Sequence, residues 1–120
     1  MNKKTLIIGA SDKQDRYSYL AAHSLYKHGH EVVLFGKRSG NVIGQEIIKE
    51  KPILKDIDTV TLYVNPLHQQ DWYDYIISIK PKRVVFNPGA ENPEFEKLLK
   101  QNNIEAVEAC TLVMLSIGNY

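Results

Sequence analysis

Short apolar runs alternate along this chain with longer stretches whose apolar residues recur every three or four positions. The first run, Thr5–Ile8, is rich in β-branched side chains, the composition of a strand buried on both faces of a parallel sheet. It stops at Gly9. Ala10, Ser11 and the polar residues 12–16 then separate it from a helical pattern over 17–28. In that helix Leu20, Ala21, Ser24 and Leu25 are expected to face a sheet, and Gly29 suits the position just past a helix end. Residues 31–35 (Glu-Val-Val-Leu-Phe) read as a second strand, broken by Gly36-Lys37-Arg38-Ser39-Gly40 at the same end of the sheet as Gly9.

Residues 41–54 read as mostly loop with short extended pieces, because Gly44 and Pro52 interrupt Ile43, Ile47 and Ile48. A third strand follows over 59–64. Asn65-Pro66 ends it, since proline has no N–H for a central ladder. Residues 67–79 read as a second helix with Trp72, Ile76 and Ile79 inward, closed by Pro81. Arg83–Phe86 is the fourth strand, with Asn87-Pro88-Gly89-Ala90 as its loop. A third helix over 94–101 turns Phe95, Leu98 and Leu99 inward. A short fifth strand over 104–107 leads through Cys110-Thr111 to an apolar tail, 112–117. Strands alternating with helices predict an α/β fold: one Rossmann-like, doubly wound domain over 1–120, its mainly parallel five-stranded sheet covered by helices on both faces.

Composition narrows the class. The chain is 43% hydrophobic and 24% charged, as expected of an ordinary globular protein. Fifteen Lys and Arg against fourteen Asp and Glu leave a formal charge of +1, without the basic excess of a general nucleic-acid binder. The lone Cys110 excludes an intramolecular disulfide and a cysteine zinc cluster, and among apolar neighbours it reads as a small buried hydrophobe rather than a reactive thiol. The four histidines show no metal spacing with a third ligand. No apolar run reaches membrane-spanning length, and residues 1–4 leave no room for a signal peptide, so a cytoplasmic location is expected.

The candidate chemistry lies at the strand ends. A strand, a small-residue turn at Gly9 and a helix are half of a mononucleotide-binding unit, whose backbone N–H groups favour a phosphate. The three spaced glycines of the dinucleotide fingerprint are absent. Where that fingerprint needs an acid after the second strand, this chain has Gly36, Lys37 and Arg38. Lys37 and Arg38 would attract a phosphate on a ribose, which NADP carries at its 2′ oxygen and coenzyme A at its 3′ oxygen. Charge alone does not separate the two, and a solvated turn can also hold two basic residues.

Gly9-Ala10-Ser11 with Arg16 and Tyr17, Val64-Asn65-Pro66, Phe86-Asn87-Pro88-Gly89 with Glu91-Asn92-Pro93, and Cys110-Thr111-Leu112 form an ordered series from about residue 4 to 118. In that combination the chain resembles the small stand-alone CoA-binding domains, which are similar to the nucleotide-binding domain of the succinyl-CoA synthetase α subunit. The resemblance implies a five-stranded parallel sheet with coenzyme A or an acyl-CoA across its carboxyl strand ends. It implies that Gly9, Ala10 and Ser11 cradle the pyrophosphate with Arg16 and Tyr17 nearby, and that Lys37 and Arg38 face the ribose and its phosphate. By the same resemblance Asn65 and Pro66 line the adenine or ribose side, and Asn87, Pro88 and Gly89 flank the pantetheine path. Many members carry Asn-Pro after the second strand, where this chain has Gly36-Lys37.

No nucleophile–base pair or convergent carboxylates can be read here, so the expectation is a non-catalytic binding or regulatory module for a small nucleotide ligand. The alternatives are a small NADP-dependent reductase and a degenerate nucleotide-binding interaction protein. The tail 112–117 and the region of Trp72 are the places for a homodimer contact, and both equally suit a core.

Overall fold

The computed structural model describes residues 2–120. Strand β1 (Thr5–Ile8) is followed by helix α1 (Tyr17–Lys27) and strand β2 (Val32–Phe35). A small hairpin of β3 (Asn41–Val42) and β4 (Gln45–Glu46) precedes β5 (Thr59–Leu62). Next come α2 (Pro66–Gln69), a 3-10 turn (Gln70–Trp72) and α3 (Tyr73–Ile79). The chain continues through β6 (Arg83–Phe86), α4 (Pro93–Gln101), β7 (Glu105–Glu108) and α5 (Thr111–Ser116).

The main sheet has the order β2-β1-β5-β6-β7, and every pairing in it is parallel. Thr5 is level with Val32 on one side and Thr59 on the other, so the strands end together. From β1 the chain goes outward to β2, then crosses back to build β5, β6 and β7 on the opposite side. The carboxyl ends of β1 and β5 therefore flank the point where strand order reverses, the place where open α/β sheets bind ligands.

The two sheet faces follow from alternation along the strands. Leu6, Ile8, Phe35, Val60, Leu62, Val84 and Phe86 pack under Ile76, Phe95 and Leu99, so α3 and α4 cover one face. Ile7, Val32 and Leu34 pack under Ala22, Leu25 and Leu115, so α1 and α5 cover the other. Phe95 stacks on Tyr73 at 4.1 Å and meets Phe86 edge-on at 5.8 Å, filling the space beneath α4.

Four expectations need correction. The buried stripe of α1 is Ser18, Ala21, Ala22 and Leu25, while Leu20 points outward at 42% exposure and Ser24 is half-buried. The spacing is helical, but small residues carry most of it and let α1 lie close to the sheet. The helix expected over 67–79 is broken by the 3-10 turn, which sets the Trp72 ring edge-on to Phe35 at 4.4 Å. The apolar tail is the helix α5, with Met114 and Leu115 buried and Val113 and Ile117 exposed. Asn65-Pro66 does not terminate the third strand directly, because pairing in β5 stops at Leu62.

Residues 41–54 are largely irregular. Ile43 and Gly44 turn the β3–β4 hairpin with φ of 52° and 74°, the mirror-image turn whose twist suits a two-residue hairpin. Beyond it Ile48 makes one parallel bridge to Phe35, donating its N–H to Leu34 O at 2.9 Å and accepting the Gly36 N–H at 3.0 Å. That bridge extends the β2 edge by a single step and carries the next residues to the carboxyl end of the sheet.

Candidate functional site

The carboxyl strand ends border a cleft of about 1120 Å³, slightly above the roughly 300–1,000 Å³ usual for small-molecule sites. Ten of the twelve residues expected at the site line it: Gly9, Ala10, Ser11, Arg16, Tyr17, Lys37, Arg38, Asn65, Pro88 and Gly89. Pro66 and Asn87 do not. Pro66 is the first residue of α2, where its missing N–H costs nothing. Asn87 is 2% exposed and serves the scaffold instead.

Glycine at position 9 answers to the backbone. Its φ is 96°, and a Cβ there would lie 2.9 Å from Tyr63 O. At Gly36 a Cβ would lie 2.5 Å from Ala10 O. The ends of β1, β2 and β5 thus converge with main chain against main chain. The N–H groups of Gly9 and Ala10 both donate to Phe35 O, at 2.9 and 2.8 Å. This corrects the expectation that the whole turn offers its N–H groups to a phosphate: the first two are already engaged. What remains is the chain from Ser11 onward and the first turn of α1. That helix has no side-chain cap on its N-terminal N–H groups and no acid in its first turn, which leaves its positive dipole end uncompensated. Ser11 is half-buried, and its Oγ accepts the Lys13 N–H at 3.1 Å, which shapes the loop.

Two buried polar groups fix the other loops. Asn87 Nδ2 donates to Thr61 Oγ1 at 2.6 Å and Leu62 O at 2.9 Å, and its Oδ1 accepts the Thr111 N–H. Gln69, fully buried, donates through Nε2 to Val64 O at 2.8 Å and Ala90 O at 2.7 Å, and its Oε1 accepts from Asn92 Nδ2 at 3.0 Å. Asn92 in turn caps α4 through the Phe95 N–H. Asn65 caps α2 through the Leu67 N–H at 3.0 Å, a local role that leaves its residue at the cleft wall. Burial pushes the Tyr63 hydroxyl above the usual tyrosine range, which keeps it neutral.

Charge distinguishes this cleft. Its lining includes Lys13, Arg16, Lys37, Arg38, Lys49 and Lys51 against Asp12 and Asp71. Among the described residues, the ion pairs are Lys4–Glu31 and Lys82–Asp58, neither at the cleft. A smaller cavity of about 550 Å³ at the amino end of the sheet balances Lys4, Lys80 and Lys82 against Glu31, Asp56 and Asp58. A chain of net charge +1 has therefore concentrated its positive charge at the carboxyl strand ends. Sequence reading missed Lys49, Lys51 and His68. The signal for the lysines was the apolar pair Ile47-Ile48, which anchors the segment that carries them.

Cys110 is half-buried at the start of α5 and is not part of the cleft lining. No group of three His, Cys, Asp or Glu among the described residues could hold a metal ion. No described helix is long and apolar enough to cross a membrane.

Comparison with solved structures returns the same architecture. The crystal structure of an uncharacterized protein is 54% identical, with a TM-score of 0.98 over 100% of this chain and 99% of that one. A hypothetical protein from Pyrococcus horikoshii OT3 is 24% identical, with a TM-score of 0.86 over 96% of this chain and 82% of that one. A Thermus thermophilus structure, cell-free ID.343, is 22% identical, with a TM-score of 0.84 over 98% and 91%. No curated protein matches the chain. The CoA binding domain family matches residues 3–116, which span every element of the fold and all of the cleft. With its parallel sheet and the cation-lined cleft at its switch point, this chain belongs to the CoA binding domain family.

Proposed function

We propose that the protein binds coenzyme A or an acyl-CoA in the carboxyl-end cleft and acts as a binding or regulatory module rather than a catalyst. The observation that carries this reading is the concentration of six cations, none in an ion pair with a carboxylate among the described residues, around a large cleft at the switch point. Coenzyme A presents a diphosphate and a separate phosphomonoester, and a site for both needs positive charge at two places. The residues from Ser11 to Tyr17, with the uncapped start of α1, receive the diphosphate. Lys37 and Arg38 face the ribose phosphate, Asn65 borders the adenosine, and Pro88 and Gly89 flank the pantetheine arm.

Isothermal titration with coenzyme A, dephospho-coenzyme A and NADP tests the reading. Micromolar coenzyme A binding, weaker for dephospho-coenzyme A and weakened by Lys37→Ala or Arg38→Ala, is the expected result. Preference for NADP would make the ligand a nicotinamide cofactor. Absence of heat and of thermal stabilisation at millimolar coenzyme A would overturn the proposal.

A further inference from the structure

Lys51 differs from the other cleft cations in being held in place. Its ammonium lies 4.7 Å from the centroid of the Trp72 ring and donates to the main-chain carbonyl of Asp71. Trp72 is itself fixed, edge-on to Phe35 at 4.4 Å and to Tyr75 at 6.1 Å. Both partners of Lys51 are neutral, so its full charge remains available to the cleft. An ammonium has three N–H donors, and the carbonyl uses one. Phe35 is the last residue of β2, which puts this fixed cation on the same flank of the cleft as Lys37, Arg38 and Lys49. Lys13 and Arg16 lie on the other flank, around the turn after β1.

We infer that Lys51 joins Lys37 and Arg38 in selecting a ligand that carries a phosphomonoester in addition to its diphosphate, as the pre-ordered cation of the three, with Trp72 as the residue that positions it. A cation already ordered over an aromatic face loses little side-chain freedom when an anion arrives, whereas a mobile surface lysine must be ordered first. Exchanging no partner at all, Lys51 adds a charge-assisted hydrogen bond to the phosphomonoester. This inference rests on the coenzyme A reading given above.

The test compares coenzyme A with dephospho-coenzyme A by isothermal titration on the wild type, Lys51→Met, Lys51→Arg and Trp72→Leu. Loss of one charge-assisted contact predicts that Lys51→Met lowers the preference for coenzyme A by about tenfold. Affinity for dephospho-coenzyme A stays within about twofold, and Lys51→Arg retains most of the preference. Trp72→Leu loses part of the preference without loss of charge. Trp72 is the sole tryptophan, so its fluorescence should respond to coenzyme A more than to dephospho-coenzyme A in the wild type, without any variant having to fold. An unchanged preference in Lys51→Met, with coenzyme A still bound, would overturn the role of Lys51 and leave the coenzyme A reading standing. No coenzyme A binding by the wild type would overturn both.

Discussion

The Oδ1 atom of Asn87 accepts the backbone N–H of Thr111 at 2.9 Å, fastening the end of β6 to the start of α5. The same side chain donates to Thr61 Oγ1 and Leu62 O, so three elements meet on one amide. Asn87→Ala strands a buried N–H and a buried carbonyl and should cost about 2–4 kcal/mol. Asn87→Asp keeps the acceptor and loses both donors, and should also destabilise. Urea unfolding followed by circular dichroism measures both.

Gly9→Ala should be more costly than Gly29→Ala. Both glycines have positive φ, 96° and 84°, and share the strain of a left-handed alanine, roughly 1–2 kcal/mol. A Cβ at Gly29 meets nothing within 4 Å, whereas at Gly9 it strikes the carbonyl of Tyr63. The difference between the two denaturation midpoints isolates the backbone contact at the switch point. Equal losses would show that β1 and β5 can separate there without penalty.

Gln69→Leu keeps the volume and removes the amide between Val64 O and Ala90 O. The buried Ala90 carbonyl and the part-buried Val64 carbonyl lose their donor, and about 2–4 kcal/mol of stability should go with them. Because those carbonyls border the cleft loops after β5 and β6, hydrogen exchange in residues 64–69 and 87–92 should accelerate before the rest of the sheet.

Stability should fall on mild acidification because of His30. Burial, then the neighbouring charges of His28, Lys3 and Arg83, lower its pKa below the ordinary value of 6.5. Its Nδ1 accepts the Lys3 N–H at 2.9 Å, an interaction the protonated ring cannot make. The unfolded chain therefore takes up the proton first, and stability is lost as pH drops below about 6.5 until the folded-state pKa is passed. His30→Gln, with no titratable ring, should flatten that part of the stability–pH curve measured by thermal melts between pH 7.5 and 5.

Strands β1, β2 and β6 were legible because a buried parallel strand needs an unbroken apolar run, and residues 6–8, 32–35 and 84–86 each provide one. Gly29 marked the end of α1 for a similar reason: its φ of 84° belongs to few other residues. The missed features depend on partners distant in sequence. Gln69 looks like a surface helix residue until Ala90 O, twenty-one positions on, comes within reach of its amide. Ser18 belongs to the buried stripe of α1, though nothing in its own polarity says so. Lys49 and Lys51 lie in a stretch without periodicity, and contacts distant in sequence bring them to the cleft: the bridge from Ile48 to Phe35, the Tyr75 hydroxyl on Pro52 O, and Lys51 against Trp72. The site turn was legible as a place and not as a donor set, since Phe35 O takes the N–H groups of Gly9 and Ala10.

The long return from β2 to β5 touches the core through only a few side chains, chiefly Val42, Ile47 and Ile57. Ahead of these anchors it presents Lys37 and Arg38 to the cleft, and between Ile47 and Ile57 it presents Lys49 and Lys51. Four of the six cleft cations are thus carried by a segment that adds no strand to the main sheet, while Lys13 and Arg16 follow β1. Substitutions in this one segment can change the charge of the cleft while the sheet stays intact, so under the coenzyme A proposal changes along 36–54 should alter ligand preference without altering the fold.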